Sequence, residues 1–176
     1  IAISYLLESG SLNTCSVVLQ SSLKSYDTIS NVSIQDNTLF IPMPDSIIPN
    51  VYDVKLDFGP QSCGQEGDVT KVSIYYSREV LAQRWNDVLA VKNEDYNGGG
   101  YQFVSFQWYK NGEPIVGATS SILYVPEGLD LSAEYSVLLT RLSDNVTLMS
   151  CVADLADLSS AINSEYVVIS NDHKNV

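Results

Sequence analysis

The sequence is poor in basic residues. Its 176 residues include 9 Lys and Arg against 21 Asp and Glu, which gives a formal net charge of −12 at pH 7. Binding to the phosphates of a nucleic acid requires a clustered Lys/Arg surface, and nine basic residues scattered along a chain do not form one. The charge balance therefore predicts that nucleic acid is not a partner.

Cysteine and histidine are also scarce. The three cysteines, Cys15, Cys63 and Cys151, lack CxxC or Cys/His spacing, which disfavours a zinc site, and they allow at most one disulfide. The single histidine, His173, lies in the polar tail SNDHKNV, where the partners that orient a catalytic histidine are not expected. We therefore expect a non-enzyme, although the acidic residues leave a pair of carboxylates for glycoside hydrolysis open as an alternative.

Long hydrophobic runs are missing as well. No run of eighteen apolar residues occurs, so we expect no membrane-spanning helix. No charged and apolar signal segment precedes IAISYLLES, and a chain that opens on a strand-like stretch is expected to be a mature product or part of a longer protein.

Two overlapping segments of one predicted loop could be taken for cofactor-binding motifs, but their residues do not support that interpretation. Gly98–Gly100 lack the GxGxxG order and a following Lys, which a phosphate-binding loop would have. Asn93–Gly99 lack the ligand spacing and the closing Glu of a calcium loop. We expect a mobile hairpin connection here and no cofactor or metal.

What the chain does have is alternation of apolar and polar residues. Apolar residues make up 45% of it, and 11 residues are Tyr. In the segment 53–58, Val54, Leu56 and Phe58 would face one way and the charged residues between them the other, as in a strand with one buried face. Similar short segments recur between turn residues, which predicts an all-β protein with antiparallel sandwich domains.

The stretch GPQSCGQEGD, residues 59–68, interrupts this pattern and is the predicted domain boundary. We assign residues 1–62 to an N-terminal β-sandwich module, 69–154 to a second module and 155–176 to a C-terminal linker or tail. REVLAQRWNDVLAVKN and ADLADLSSAIN also fit amphipathic helices; we interpret the first as mostly strand and the second as linker.

Two aromatic residues of the second module indicate its type. In FQWYKNGEPI, Trp108 shares a strand face with Val104 and Phe106 and should point into the core. In VPEGLDLSAEYSV, Tyr135 enters a strand after a polar corner, the position of a tyrosine corner. The second module therefore resembles immunoglobulin-like or PKD-like domains, with Trp108 and Tyr135 as structural core residues. It departs from vertebrate domains at Val137, which stands where they carry a strand cysteine.

A narrower resemblance comes from four segments: QRWNDVLAVKN, YNGGGYQF, FQWYKNGEPIVGATSSILYV and PEGLDLSAEYSVLLTR. Together they look like modules near the C-termini of large exported proteins of Bacteroidetes, and the first half is similar to the module that precedes them. The resemblance implies two consecutive antiparallel immunoglobulin-like β-sandwich domains. It also implies a secreted or cell-surface location in a bacterium and a spacer or adhesion role within a longer chain.

A carbohydrate-binding accessory module is the alternative function. Exposed aromatic rings on a sandwich can form a platform for sugars, and Trp85, Tyr96 and Tyr101 are the candidate ligand-binding residues. For Trp85 itself, packing within a strand is the interpretation that we favour. The two functions differ in whether these rings are exposed together, and the partners they imply are cell-surface glycans or proteins.

Overall fold

The computed structural model describes residues 2–4, 16–21, 25–29, 32–57, 70–93 and 97–159. These residues form fourteen β-strands and one 3-10 turn at Arg78–Val80. All pairings between the strands are antiparallel. The predicted all-β class with antiparallel sheets is confirmed. The chain divides into two compact units, Ile1–Tyr75 and Tyr76–Val176, called unit 1 and unit 2 below.

The described residues of unit 1 form two sheets. Its strands are β1 (Ala2–Ser4), β2 (Ser16–Gln20), β3 (Ser25–Ile29), β4 (Ser33–Gln35), β5 (Thr38–Phe40), β6 (Asn50–Asp57) and β7 (Thr70–Ile74). One sheet has the order β1-β5-β4 and the other the order β3-β2-β6-β7. Alternate residues of the central strands meet in one core, whose buried members are Val17, Leu19, Leu39, Ile41, Tyr52 and Val54.

The tight turn between β4 and β5 shows how the local sequence fixes a hairpin. Asp36 and Asn37 occupy the turn with φ angles of 48° and 56°. Two consecutive residues with positive φ match the right-handed twist of the flanking strands, and Asp and Asn tolerate this conformation better than most residues. The dipeptide thereby sets the register that pairs Gln35 with Thr38.

The division between the units falls after β7. This strand pairs with β6 from Val54↔Thr70 to Asn50↔Ile74, so it belongs to unit 1. The sequence interpretation began the second module at Val69, and its boundary stretch 59–68 lies outside the described residues. Alternation reveals that residues 70–74 form a strand, whereas the choice of partner depends on long-range pairing that alternation does not encode.

Unit 2 also contains two sheets. Its strands are β8 (Leu81–Trp85), β9 (Val88–Val91), β10 (Phe103–Lys110), β11 (Glu113–Pro114), β12 (Ile122–Tyr124), β13 (Tyr135–Arg141) and β14 (Thr147–Met149). The sheet orders are β12-β9-β8 and β11-β10-β13-β14. Leu89 and Leu123 of the first sheet share one buried core with Trp108, Val137 and Leu139 of the second. The inner faces of the two sheets therefore pack against each other, as in a β-sandwich.

The two stretches with helical character are not α-helical where the structure describes them. REVLAQRWNDVLAVKN forms the 3-10 turn followed by the β8–β9 hairpin, so its interpretation as mostly strand is confirmed. The described part of ADLADLSSAIN, residues 153–159, has no regular secondary structure. Residues 151 and 152, which precede it, have no regular secondary structure either. We call residues 151–159 the C-terminal strap.

Candidate functional site

Trp108 lies in the centre of the unit 2 core. Its side chain is fully buried, and it pairs across β10 and β13 with Val137, which is also fully buried. The indole Nε1–H donates a hydrogen bond of 2.9 Å to the carbonyl oxygen of Ser120. A buried indole needs such an acceptor for its one polar atom. Trp108 is therefore a structural core residue, and its ring is not accessible to a ligand.

Tyr135 is held at a corner of the same unit. Its ring is buried, and its hydroxyl oxygen accepts a hydrogen bond of 3.3 Å from the backbone N–H of Asp130, five residues earlier in the chain. Lys110 places its Nζ 3.2 Å from the Asp130 carboxylate and 5.8 Å from the centroid of the Tyr135 ring. Hydrogen bonds from Ser132, and then from Lys110, lower the pKa of the Asp130 carboxyl. The corner is thus fixed by several polar contacts around one buried ring.

Trp85, the last residue of β8, is presented to solvent by a β-bulge. Leu81 points into the core and pairs with Val91, so strict alternation along β8 would turn Trp85 inward as well. The register shifts between Gln83 and Trp85, which leaves Arg84 as an extra residue, and an extra residue reverses the alternation beyond it. The Trp85 side chain is 62% exposed. The interpretation of Trp85 as a packed strand residue is therefore wrong.

The strand register aligns Trp85 with a second exposed aromatic ring. Val88 of β9 pairs with Trp85 on one side and with Tyr124 of β12 on the other, and directly paired residues project from the same face of a sheet. Tyr124 is 61% exposed. Since neighbouring strands lie about 4.8 Å apart, the Cα atoms of Trp85 and Tyr124 are separated by about 10 Å.

A second row of apolar residues extends this surface. Ile122, which is exposed, pairs with Ala90, and Ala90 pairs with Ala82. The residues between the two rows, such as Leu89 and Leu123, are buried and face the core. We call the solvent-facing surface formed by both rows the aromatic face; its members are Trp85, Val88, Tyr124, Ile122, Ala90 and Ala82.

Tyr101 has a different environment, because its loop is fastened by Asn97. The buried Asn97 side chain donates hydrogen bonds to the carbonyl oxygens of Lys92 (3.1 Å) and Tyr101 (2.6 Å), and it accepts one from the Tyr101 N–H (3.0 Å). Gly98 and Gly100 adopt positive φ angles of 77° and 66°, which glycine tolerates best. The glycines thus serve a tight turn around the amide of Asn97.

The Tyr101 ring is part of a packed aromatic cluster. It lies edge-on to Tyr76 with centroids 5.3 Å apart, and Tyr76 in turn lies edge-on to Phe103 at 5.0 Å. The guanidinium carbon of Arg141 is 5.7 Å from the centroid of the Tyr101 ring. These contacts engage Tyr101 within unit 2, and its ring is only partly exposed.

The aromatic residues suggested by the sequence are not brought together. Trp85 adjoins the Asn86–Asp87 turn at the closed end of the β8–β9 hairpin, whereas Tyr101 is tied to Lys92 beyond its open end. Tyr96 lies outside the described residues. Tyr124, the exposed ring that does share a face with Trp85, was missed. Its segment ILYV predicts a strand but does not show which face of a sheet Tyr124 occupies. The pairing of β12 with β9 places it beside Trp85.

The C-terminal strap covers the outer edge of β8. The side-chain amide of Gln83 donates to the carbonyl oxygen of Ala156 and accepts from its N–H, both at 2.8 Å. In the turn that follows β8, the Asn86 side chain accepts a hydrogen bond from the N–H of Leu158 at 2.7 Å and donates one to the carboxylate of Asp157 at 3.0 Å. Residues 156–158, which the sequence analysis assigned to a linker or tail, are therefore hydrogen-bonded to side chains of β8 and of the turn that follows it.

The described residues form neither a metal-binding cluster nor a membrane-spanning helix. Within those ranges, no three His, Cys, Asp or Glu side chains converge on a point that could hold a metal ion. In the same ranges, no helix has the length and hydropathy needed to cross a bilayer. Cys151 is a free, exposed thiol, whereas Cys15, Cys63 and His173 lie outside the described residues.

Comparison with known proteins adds no family. No protein-family model matches the chain, and no curated protein or solved structure that was compared with it matches either.

Proposed function

We propose that the chain is a non-catalytic pair of immunoglobulin-like modules that acts as a spacer or adhesion unit of a longer exported bacterial surface protein. Unit 2 supports the fold part of this proposal. Its sheets β12-β9-β8 and β11-β10-β13-β14 correspond in order to strands E-B-A and C′-C-F-G of an immunoglobulin domain. Trp108 fills the core position of strand C, and the Tyr135 hydroxyl bonds to upstream backbone as a tyrosine corner does.

The spacer role rests on the direction of the chain through unit 2. Tyr76, at its start, and Ser150, after its last strand, form a parallel bridge. The Tyr76 N–H donates to the Met149 carbonyl oxygen at 3.1 Å, and the Cys151 N–H donates to the Tyr76 carbonyl oxygen at 2.8 Å. Parallel segments run in the same direction, so the chain leaves the unit heading the way it entered. Such a unit adds its own length to a chain, and tension loads the bridge in shear.

Single-molecule force spectroscopy on the full chain, held between two fused handle domains, tests this role. Cys151→Pro removes the N–H that bonds to Tyr76, and we expect a lower rupture force for unit 2. Val152→Pro is the matched control, because the neighbouring N–H has no acceptor among the described residues. Cys151→Ala controls for the loss of the thiol. Equal rupture forces for the two proline variants would show that the bridge does not determine the resistance of unit 2 to force.

Carbohydrate binding is the second candidate, and one observation favours it. The bulge at Arg84 exposes the Trp85 ring on a surface that also carries Tyr124. This observation supports an accessory binding role that would accompany the spacer role. A glycan-array screen of the full chain tests it, and binding to no glycan would remove it.

A further inference from the structure

We propose that the aromatic face is a binding site for a neutral oligosaccharide with a flat, equatorially linked backbone, whose sugar rings stack on Trp85 and Tyr124. This inference rests on the carbohydrate-binding role proposed above and gives it a site and a ligand class. The site differs from the three rings that the sequence suggested, since it excludes Tyr101 and includes Tyr124.

The two rings have the placement that a sugar chain requires. Both are more than half exposed and stand in one row, with the smaller Val88 between them. The apolar face of a pyranose packs against the face of an aromatic ring, and ring contacts are strongest when water is excluded from both. A separation of about 10 Å leaves room for an intervening sugar unit over Val88. A straight, flat chain can therefore contact both aromatic rings at once.

The bulge is an independent indication that exposure of Trp85 serves a purpose. Bulges interrupt the hydrogen-bond ladder, and they re-aim side chains at edges and next to functional sites. If Arg84 were paired with Val88 in regular register, alternation would place Trp85 on the core side with Leu81. The local irregularity thus converts a position on the core side into one on the surface. Unit 2 encloses its other tryptophan, Trp108, completely.

The size of the aromatic face favours a small ligand over a protein. Its three strands contain three to five residues each, which corresponds to a plane of about 14 Å by about 14 Å, or on the order of 200 Å². A stable protein interface buries about 800 Å² on each partner. The aromatic face alone is well below that area, whereas it matches the footprint of a few sugar units.

The charge of the chain selects among sugars. With 21 acidic residues against 9 basic ones, the protein repels polyanions at low and moderate ionic strength. Four of the six residues on the aromatic face carry no polar side-chain group, and the other two, Trp85 and Tyr124, offer a neutral indole N–H and a neutral hydroxyl. We therefore expect neutral oligosaccharides to bind and acidic ones to bind weakly or not at all.

Isothermal titration of the full chain with cellohexaose, mannohexaose, laminarihexaose and chitohexaose tests the inference, with an oligogalacturonate as the acidic comparison. We expect binding to at least one neutral hexasaccharide. Trp85→Ala and Tyr124→Ala should each weaken that binding by about tenfold or more, because each removes a stacking contact. Tyr75→Ala is the matched control, since Tyr75 is 52% exposed but lies in unit 1. It should leave binding unchanged.

Intrinsic fluorescence provides a second measurement, which distinguishes a loss of binding from a loss of folding. Trp85→Phe leaves the buried Trp108 as the only indole and a direct reporter of an intact core. In the wild type, a bound hexasaccharide should protect Trp85 from quenching by acrylamide. In Trp85→Phe the same ligand should change quenching little.

The outcomes distinguish a failure of the aromatic face as the binding site from a failure of the carbohydrate-binding role. Binding that survives both Trp85→Ala and Tyr124→Ala would overturn the aromatic face as the site and leave carbohydrate binding in place. Absence of binding to every neutral hexasaccharide would overturn the inference, and a negative glycan array would then remove the carbohydrate-binding role as well. Neither result bears on the spacer role, which is measured by force.

Discussion

Arg141 and Asp144 form a buried, bidentate ion pair in unit 2. Nε and Nη2 of Arg141 donate hydrogen bonds of 2.9 Å and 2.7 Å to the two carboxylate oxygens of Asp144, and the side chains are only 4% and 9% exposed. The guanidinium carbon also lies 5.9 Å from the centroid of the Tyr76 ring and 5.7 Å from that of Tyr101. The pair therefore joins the β13–β14 connection to the aromatic cluster.

We expect Asp144→Asn to lower the free energy of unfolding of unit 2 by about 3 kcal/mol, because it removes the bidentate negative partner of a buried guanidinium. Urea denaturation at pH 7 measures the change. Asp154→Asn is the matched control, because its partner Arg78 is exposed and an ion pair on the surface contributes little to stability. Equal losses in the two variants would contradict a special role for the buried pair.

Acid should weaken the same pair. Hydrogen bonds from Arg141 hold the pKa of the Asp144 carboxyl below its ordinary value. A carboxyl whose pKa is depressed in the folded state contributes stability above its unfolded pKa of about 3.9, and this contribution is lost as pH falls through the folded pKa. Urea denaturation between pH 7 and pH 2 should therefore show a steeper decline for the wild type than for Asp144→Asn. Parallel curves would refute the expectation.

Tyr76 carries a buried hydroxyl that has no hydrogen-bond partner among the described residues. Tyr76→Phe keeps the ring contacts and removes this hydroxyl, so we expect stability at pH 7 to be unchanged or raised by about 1 kcal/mol.

Burial raises the pKa of Tyr76 from 10.0 to about 12. For a raised pKa the stabilising contribution is present below the unfolded value and is lost as pH rises through the folded one. The wild type should thus lose stability faster than Tyr76→Phe between pH 10 and 12, as thermal unfolding would reveal.

The two tryptophans should respond very differently to substitution. Trp108→Ala should destabilise unit 2 by about 3–5 kcal/mol, the range for deleting a large buried aromatic side chain. Trp85→Ala should change stability by about 0.5 kcal/mol or less, since surface substitutions away from special features are usually small. Guanidinium denaturation gives both values. A loss below about 1 kcal/mol for Trp108→Ala would remove the main support for the proposal that unit 2 is immunoglobulin-like.

The C-terminal strap should loosen when Gln83 is removed. Gln83→Ala deletes both hydrogen bonds to Ala156, so amide exchange at residues 154–158 should accelerate while exchange in β13 stays unchanged. Arg84→Ala is the control, because Arg84 is the exposed neighbour in the bulge. If strap protection is identical in both variants, the Gln83 contacts do not hold the strap.

Much of the strand content could be predicted from the residues themselves. Alternation of small runs such as Tyr52–Val54 and Leu89–Val91 is a local property, because successive side chains of any strand point to opposite faces. The corner at Tyr135 and the interior position of Trp108 were also suggested by residue type and spacing, and both side chains are buried in one core. These features need no knowledge of which strands pair.

The candidate site could not be found in this way. The surface that Trp85 shares with Tyr124 joins residues 39 positions apart through Val88, and only the pairing of three strands creates it. The sequence indicated Tyr101 as a ligand-binding residue because it is an aromatic residue in a glycine-rich loop. In the structure, Asn97 is hydrogen-bonded to its backbone and Tyr76 packs against its ring.

The sequence by itself determined that the chain forms antiparallel β-structure, since period-two burial follows from backbone geometry alone. Tertiary structure decided which face of a strand each exposed residue occupies. Trp85 shows the physical reason: one unpaired residue, Arg84, inverts the alternation after it, and that residue is unpaired only because Gln83 and Trp85 have fixed partners on β9. The order of apolar and polar residues along β8 is a local property of the sequence, but the register of β8 against β9 depends on the packing of the whole unit.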